Sequence, residues 1–183
     1  TMKIGCPKEI KPQEFRVGMT PNAVREAVAH GHHVSIETGA GTGAGFSDSD
    51  YIAAGATMLG TAEEVFAAAE MIVKVKEPQA VERARLREGQ VLFTYLHLAP
   101  DPAQTADLRA SGVTAIAYET VTDDRGGLPL LAPMSEVAGR LAPPVRAKGS
   151  VLPLSENLKV GLIALKPAEK LVSGNKVMPA GLK

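Results

Sequence analysis

Apolar and polar positions alternate in blocks along the first 145 residues, and the blocks switch between two periods. MKIGC, HVSIETG, MIVKVK, QVLFTYLHL and VTAIAYET are short, nearly continuous runs rich in β-branched and aliphatic residues, as strands buried on both faces are. Between them lie stretches with helix punctuation. TPNAVREAVAHG has Thr20 as N-cap, Pro21 at the first helical position and Gly31 to close it. SDSDYIAAGA predicts a short capped helix. TAEEVFAAAE opens with the Thr61/Glu64 capping-box pattern. DPAQTADLRASG places Asp101 as cap, Pro102 behind it and Gly112 beyond the end, and APMSEVAGRLA predicts a last helix.

This β-α-β-α order predicts an α/β fold: a parallel sheet with helices on both faces, flavodoxin-like or Rossmann-like. The rhythm stops near APPVRAKGS, a Pro-, Gly- and charge-rich linker. Residues 148–183 hold six lysines against two glutamates. The expected organisation is therefore a main domain over residues 2–145 and a small, irregular or β-rich appendage over residues 146–183. The appendage is too short to bury much core alone.

Composition narrows the class. The chain has 183 residues, a formal net charge of zero, 45% hydrophobic and 22% charged residues, which fits a globular protein with a real core. Zero net charge gives no global field for nucleic acid or an anionic membrane, and aromatic content of 4% gives little base-stacking surface, so neither partner is expected. The single cysteine, Cys6, and the lack of an apolar run at TMKIGCPKEI point to a reducing, cytoplasmic setting.

Open parallel sheets bind ligands beyond the C-terminal ends of their strands. Here the first strand is followed by Arg16. The third ends on Lys74 and Lys76, two residues apart and so on one face. The fourth ends at His97 and the fifth at Glu119. A guanidinium suits a carboxylate, an ammonium can polarise a carbonyl oxygen, and an imidazole can move a proton. Together they suit a 2-oxo or 2-amino acid. Each residue alone has an ordinary explanation: a surface ion pair, a solvated strand end, a capping histidine. Their convergence on one rim is what favours chemistry.

Three other features carry less. Gly39 to Ala44 matches G-x-G-x-x-A after a strand, but no acidic residue closes a strand about twenty positions on. A glycine turn is the better reading. His30, His32 and His33 lack metal-ligand spacing and fit a helix C-terminus, so no metal is expected. Cys6 inside a strand fits a small buried hydrophobe.

KIGCPKEIKPQEFRVGMTP, HGHHVSIETGAG, MIVKVKEP, LFTYLHLA, AIAYETV and LPLLAPMSEVAGRLA, in this order and spacing, closely resemble the N-terminal part of bacterial NAD-dependent alanine dehydrogenases. The N-terminal region of nicotinamide nucleotide transhydrogenases is similar but weaker. The resemblance covers residues 2–145. It implies reversible oxidation of L-alanine to pyruvate and ammonium with NAD, in a homo-oligomer. It implies that Arg16 binds the substrate carboxylate and that Lys76 contacts the substrate and its carbonyl oxygen. His97 would be the acid/base, with Lys76 counted beside it as catalytic. Glu119 would border the substrate, and Met134 and Ser135 would touch the cofactor.

The chain leaves the family pattern near Pro144 to Arg146, and no G-x-G-x-x-G loop follows. The expectation is a substrate-binding part that cannot transfer hydride alone. The alternative is a non-catalytic pyruvate-binding or assembly module. The tail, VLPLSENLKVGLIALKPAEKLVSGNKVMPAGLK, more weakly resembles the β-clip (SAF) module of some sugar-acid dehydratases, with Leu182 where those tend to carry histidine.

Overall fold

The computed structural model describes residues 1–141 and the backbone of two short strands, Arg146–Ala147 and Ser150–Val151, which pair antiparallel. The rest of the expected 146–183 appendage, and the segment likened to a β-clip module, lie outside the described residues.

Six strands form one sheet: β1 (Lys3–Cys6), β2 (His33–Glu37), β3 (Thr57–Leu59), β4 (Met71–Val73), β5 (Val91–Thr94) and β6 (Thr114–Ala117). All neighbours pair parallel. The helices between and after them are α1 (Pro21–Ala29), α2 (Asp48–Ala53), α3 (Ala62–Ala68), α4 (Ala80–Arg83), α5 (Pro102–Ser111) and α6 (Ala132–Leu141). The predicted α/β class and two-sided cover are what the chain adopts. β4 shows why: Ile72 joins a core with Val65, Phe66 and Leu108, while Val73 joins another with Val24, Ile36 and Tyr51. Consecutive side chains point to opposite faces, and each face needs its own helices.

The local signals do what their chemistry predicts. The Thr20 hydroxyl accepts from the Ala23 N–H. Thr61 and Glu64 cap α3 reciprocally, and Asp101 accepts from the Gln104 N–H at α5. Two elements have weak signals. β3 is three residues on the sheet edge, half-exposed, and α4 is a single turn. β4 is shorter than MIVKVK, but its ladder runs on beyond Val73. The Lys74 N–H donates to the Phe93 carbonyl and the Tyr95 N–H to the Val75 carbonyl.

The strand order is β3-β2-β1-β4-β5-β6. From β1 the chain builds outward to one edge and then returns to the other side. The ends of β1 and β4 therefore diverge around a crevice, the place where doubly wound sheets bind ligands. The loop carrying Arg16 leaves β1 there, and Lys76 follows β4.

Gly18 lets that loop close on the sheet. A Cβ on it would sit 2.6 Å from the Val73 carbonyl oxygen and 3.0 Å from the Lys74 Cα, both backbone atoms that cannot swing aside. Gly18→Ala should therefore destabilise the fold by about 1–3 kcal/mol, the usual cost of overpacking. The measurement is a shift of the urea midpoint to lower concentration at unchanged slope.

Among the described residues no helix is long and apolar enough to cross a membrane, and no group of three or more His, Cys, Asp or Glu is arranged to hold a metal ion. His30 is the C-cap of α1, with its ring Nδ1 2.9 Å from the Glu26 carbonyl oxygen. Cys6 is fully buried, and burial pushes its thiol up to about 12, which leaves it unreactive.

Candidate functional site

A cavity of about 550 Å³ opens at the crevice between β1 and β4. Its wall takes Arg16, Val17 and Gly18 from the first loop, Lys74 and Val75 from just beyond β4, Phe93 from β5 and Tyr95 from just beyond it, and Leu130 and Met134 from the approach to α6 and its first turn.

Arg16 is held by its own loop. Its Nε donates to Glu14 Oε1 at 2.8 Å and its Nη2 to Oε2 at 2.6 Å, a forked pair. The Arg16 backbone N–H adds a third bond to Oε1 at 2.9 Å. Nη1 points to the Met134 sulfur at 3.7 Å. The Arg16 bonds hold the Glu14 carboxyl down at about 2, and the Lys76 ammonium, within electrostatic reach, lowers it further. Glu14 occupies one edge of the guanidinium and leaves Nη1 and the remaining Nη2 proton for another acceptor.

Lys74 borders the cavity, but its ammonium is taken up by two carboxylates and so is not offered to a ligand at the rim. Its side chain is fully buried, and its ammonium donates to Glu82 Oε1 at 2.6 Å and Glu9 Oε2 at 3.1 Å. Burial would depress it, but the two carboxylates outweigh that and raise it above the ordinary lysine value. Glu9 Oε1 also accepts the Val75 N–H at 2.6 Å. The loop after β1 is thereby bolted to the strand end that carries Lys76. Lys76 itself is half-buried, and its carbonyl accepts from the Thr94 hydroxyl at 2.9 Å.

His97 stacks on Tyr95, ring centroids 5.9 Å apart and planes within 8°. Tyr95 meets Tyr118 edge to face, and its hydroxyl donates to the Leu130 carbonyl at 2.5 Å. Burial raises the Tyr95 phenol above its ordinary value; the Arg16 charge opposes this and Glu119 adds to it. Glu119, in the 3-10 turn Tyr118–Thr120, is buried, and both its oxygens face backbone N–H groups of Leu96 and His97. Met134 and Ser135 lie in the first turn of α6, with Met134 in the cavity wall and Ser135 half-buried beside it.

The glycine stretch 39–44 is spent on packing. A Cβ on Gly41 would meet the Tyr51 ring at 2.5 Å, and one on Gly43 would meet the Phe15 carbonyl at 2.7 Å. These glycines admit the chain's own atoms, so no open phosphate cradle forms there. This glycine stretch therefore offers no place for the phosphates of a dinucleotide.

The family described as "Alanine dehydrogenase/PNT, N-terminal domain" matches residues 5–138. The chain belongs to that family. Among curated members, the alanine dehydrogenase of Halomonas elongata is 51% identical over 181 residues, covering 97% of this chain and 48% of that protein. The alanine dehydrogenase of Mycobacterium tuberculosis is 56% identical over 146 residues, covering 80% of this chain and 39% of its own length. This chain thus spans about half the length, or less, of these alanine dehydrogenases. A solved L-alanine dehydrogenase superposes with a TM-score of 0.74 at 39% identity, over 97% of this chain and 60% of that one. A transhydrogenase from Sinorhizobium meliloti gives 0.68 at 28% identity, over 75% of this chain and 40% of its own.

Sequence reasoning missed Glu14, Tyr95 and Gln104. Glu14 had a usable signal, an acidic residue two positions before the arginine in a loop. Tyr95 and Gln104 had none, because their partners lie on other elements.

Proposed function

We propose that this domain is the substrate-binding part of an alanine dehydrogenase, acting in the reaction L-alanine + NAD + water to pyruvate + ammonium + NADH. The observation that supports this reading is a cavity walled by Arg16, Tyr95 and Met134 in a chain of this family, with the Lys76 charge felt by the Glu14 that braces Arg16 and His97 stacked on Tyr95. In the proposed mechanism, the free edge of Arg16 takes the substrate carboxylate. Lys76 draws electron density toward the oxygen on the second carbon. That oxygen comes from water, which adds at the second carbon once the hydride has left, and His97 takes the proton of the resulting hydroxyl as the carbonyl forms and the C–N bond breaks to release ammonia. NAD supplies the hydride acceptor. Met134 and Ser135 would touch it, while most of its contacts would come from the half of the relatives' length that this chain does not span. The 183-residue polypeptide alone should therefore bind pyruvate and catalyse no alanine-dependent NADH formation. Calorimetric titration with pyruvate and absorbance at the NADH band test the two halves. Absence of any pyruvate heat at millimolar concentration would refute the substrate reading.

Glu14 sets how well the carboxylate site is formed. Its depressed pKa keeps the Arg16 pair intact above the ordinary carboxylate range, and the pair is lost only as pH falls through 4.5 toward about 2. Glu14→Gln removes the charge that locks the guanidinium. Pyruvate affinity at pH 7 should drop several-fold in the same calorimetric titration.

A further inference from the structure

His97 sits at φ +47°, in the left-handed region that disfavours a residue carrying a side chain. Such a conformation persists only where surrounding bonds over-determine it, and here they do so from two sides. Glu119 Oε1 accepts the His97 N–H at 2.7 Å and the Leu96 N–H at 3.0 Å, and Oε2 lies 3.3 Å from that Leu96 nitrogen. From the other side, Gln104 Nε2 donates to the Leu96 carbonyl at 2.5 Å. Leu96 and Gln104 are fully buried and Glu119 nearly so. Both clamps are themselves fixed: Asp101 holds the Gln104 N–H, and the Thr120 hydroxyl donates to the Ala117 carbonyl across the turn that presents Glu119.

We propose that Glu119 and Gln104 are positioning residues for His97, gripping the 96–97 peptide so that the imidazole lies flat on Tyr95 beside the cavity. This rests on the reading of His97 as the proton-transferring group. On this assignment Glu119 acts on substrate only through the histidine. A carboxylate suits this place because it offers acceptors only: Oε1 takes both N–H groups and Oε2 faces the Leu96 nitrogen as well. Glutamine would turn its NH₂ toward a backbone donor on one side. Three backbone contacts also blunt its negative charge, which would otherwise repel a carboxylate ligand.

Nuclear magnetic resonance on the full 183-residue chain tests this without ligand. The His97 ring resonances, assigned by their loss in His97→Asn, should be displaced by the Tyr95 ring current. The Leu96 and His97 amide protons should lie downfield. In Glu119→Gln and separately in Gln104→Leu, the His97 ring signal should move toward that of an exposed histidine while most other amide signals stay in place. If one variant fails to fold, the other decides. An unmoved His97 ring in a folded variant would overturn the proposal. Pyruvate is then titrated into the wild type. The His97 ring should respond while the two downfield amides keep their position. Release of those amides by pyruvate would make Glu119 a substrate ligand and overturn the assignment. No response to pyruvate anywhere would refute the substrate reading and leave the ligand-free test of the clamp standing.

Discussion

Lys74→Met should lower the stability of the fold by about 3–5 kcal/mol, the usual result of removing one partner from a buried ion cluster. For a chain of this size that is roughly 10 °C in the thermal midpoint. The reason lies in what remains. Glu9 and Glu82 would face each other with no cation between them, in a place water does not reach. Burial already holds the Glu9 carboxyl above its ordinary 4.5, and Lys74 is the largest influence opposing that. Without the ammonium, Glu9 should rise further and fold best when protonated. The sign follows. A raised folded pKa gives stability that is complete at low pH and is lost as pH rises through it. The deficit of Lys74→Met relative to wild type should therefore shrink from pH 7 to pH 5, as read by circular-dichroism melting. A constant deficit would mean that lost packing, not stranded charge, is responsible. The triple variant Glu9→Gln, Lys74→Met, Glu82→Gln should recover much of the loss. Glutamine oxygens can still accept the Val75 and Gln79 N–H groups that the carboxylates serve.

Arg16→Ala should weaken pyruvate binding by roughly two orders of magnitude. Two charge-assisted hydrogen bonds to a carboxylate are together worth about 3 kcal/mol net, and each 1.4 kcal/mol is about tenfold. The loss should be deepened by Glu14, whose carboxylate would then face the incoming anion uncompensated. Arg16→Ala with Glu14→Gln should accordingly bind pyruvate better than Arg16→Ala alone. Arg16→Lys keeps the charge without the fork and should fall between wild type and Arg16→Ala. Calorimetry on the three variants orders them. Arg16→Ala binding as tightly as wild type would remove the carboxylate site from this loop. The side chain is 43% exposed, so the fold should survive its loss.

Much of this molecule is legible along the chain because the signals involved are local. Two-sided apolar strands, the Thr20, Thr61 and Asp101 caps and the closing Gly112 all act within a few residues of themselves. A family likeness spread over six motifs adds the rest of the fold. β3 and α4 escaped because three half-exposed edge residues and one helical turn leave almost no periodic trace.

Alternation of apolar and polar residues, with capping chemistry at the helix ends, fixed the α/β class, the parallel pairing and the strand ends from which Arg16, Lys76 and His97 emerge. Only tertiary structure separated Lys74 from Lys76. Strand period puts both on one face, yet one ammonium is buried between Glu9 and Glu82, which are 65 and 8 residues away in sequence. It also gave Arg16 its Glu14 brace and assigned the Glu119 oxygens to the backbone of Leu96 and His97. Such partnerships depend on which segments the strand order makes neighbours, and a linear pattern carries no record of that distance.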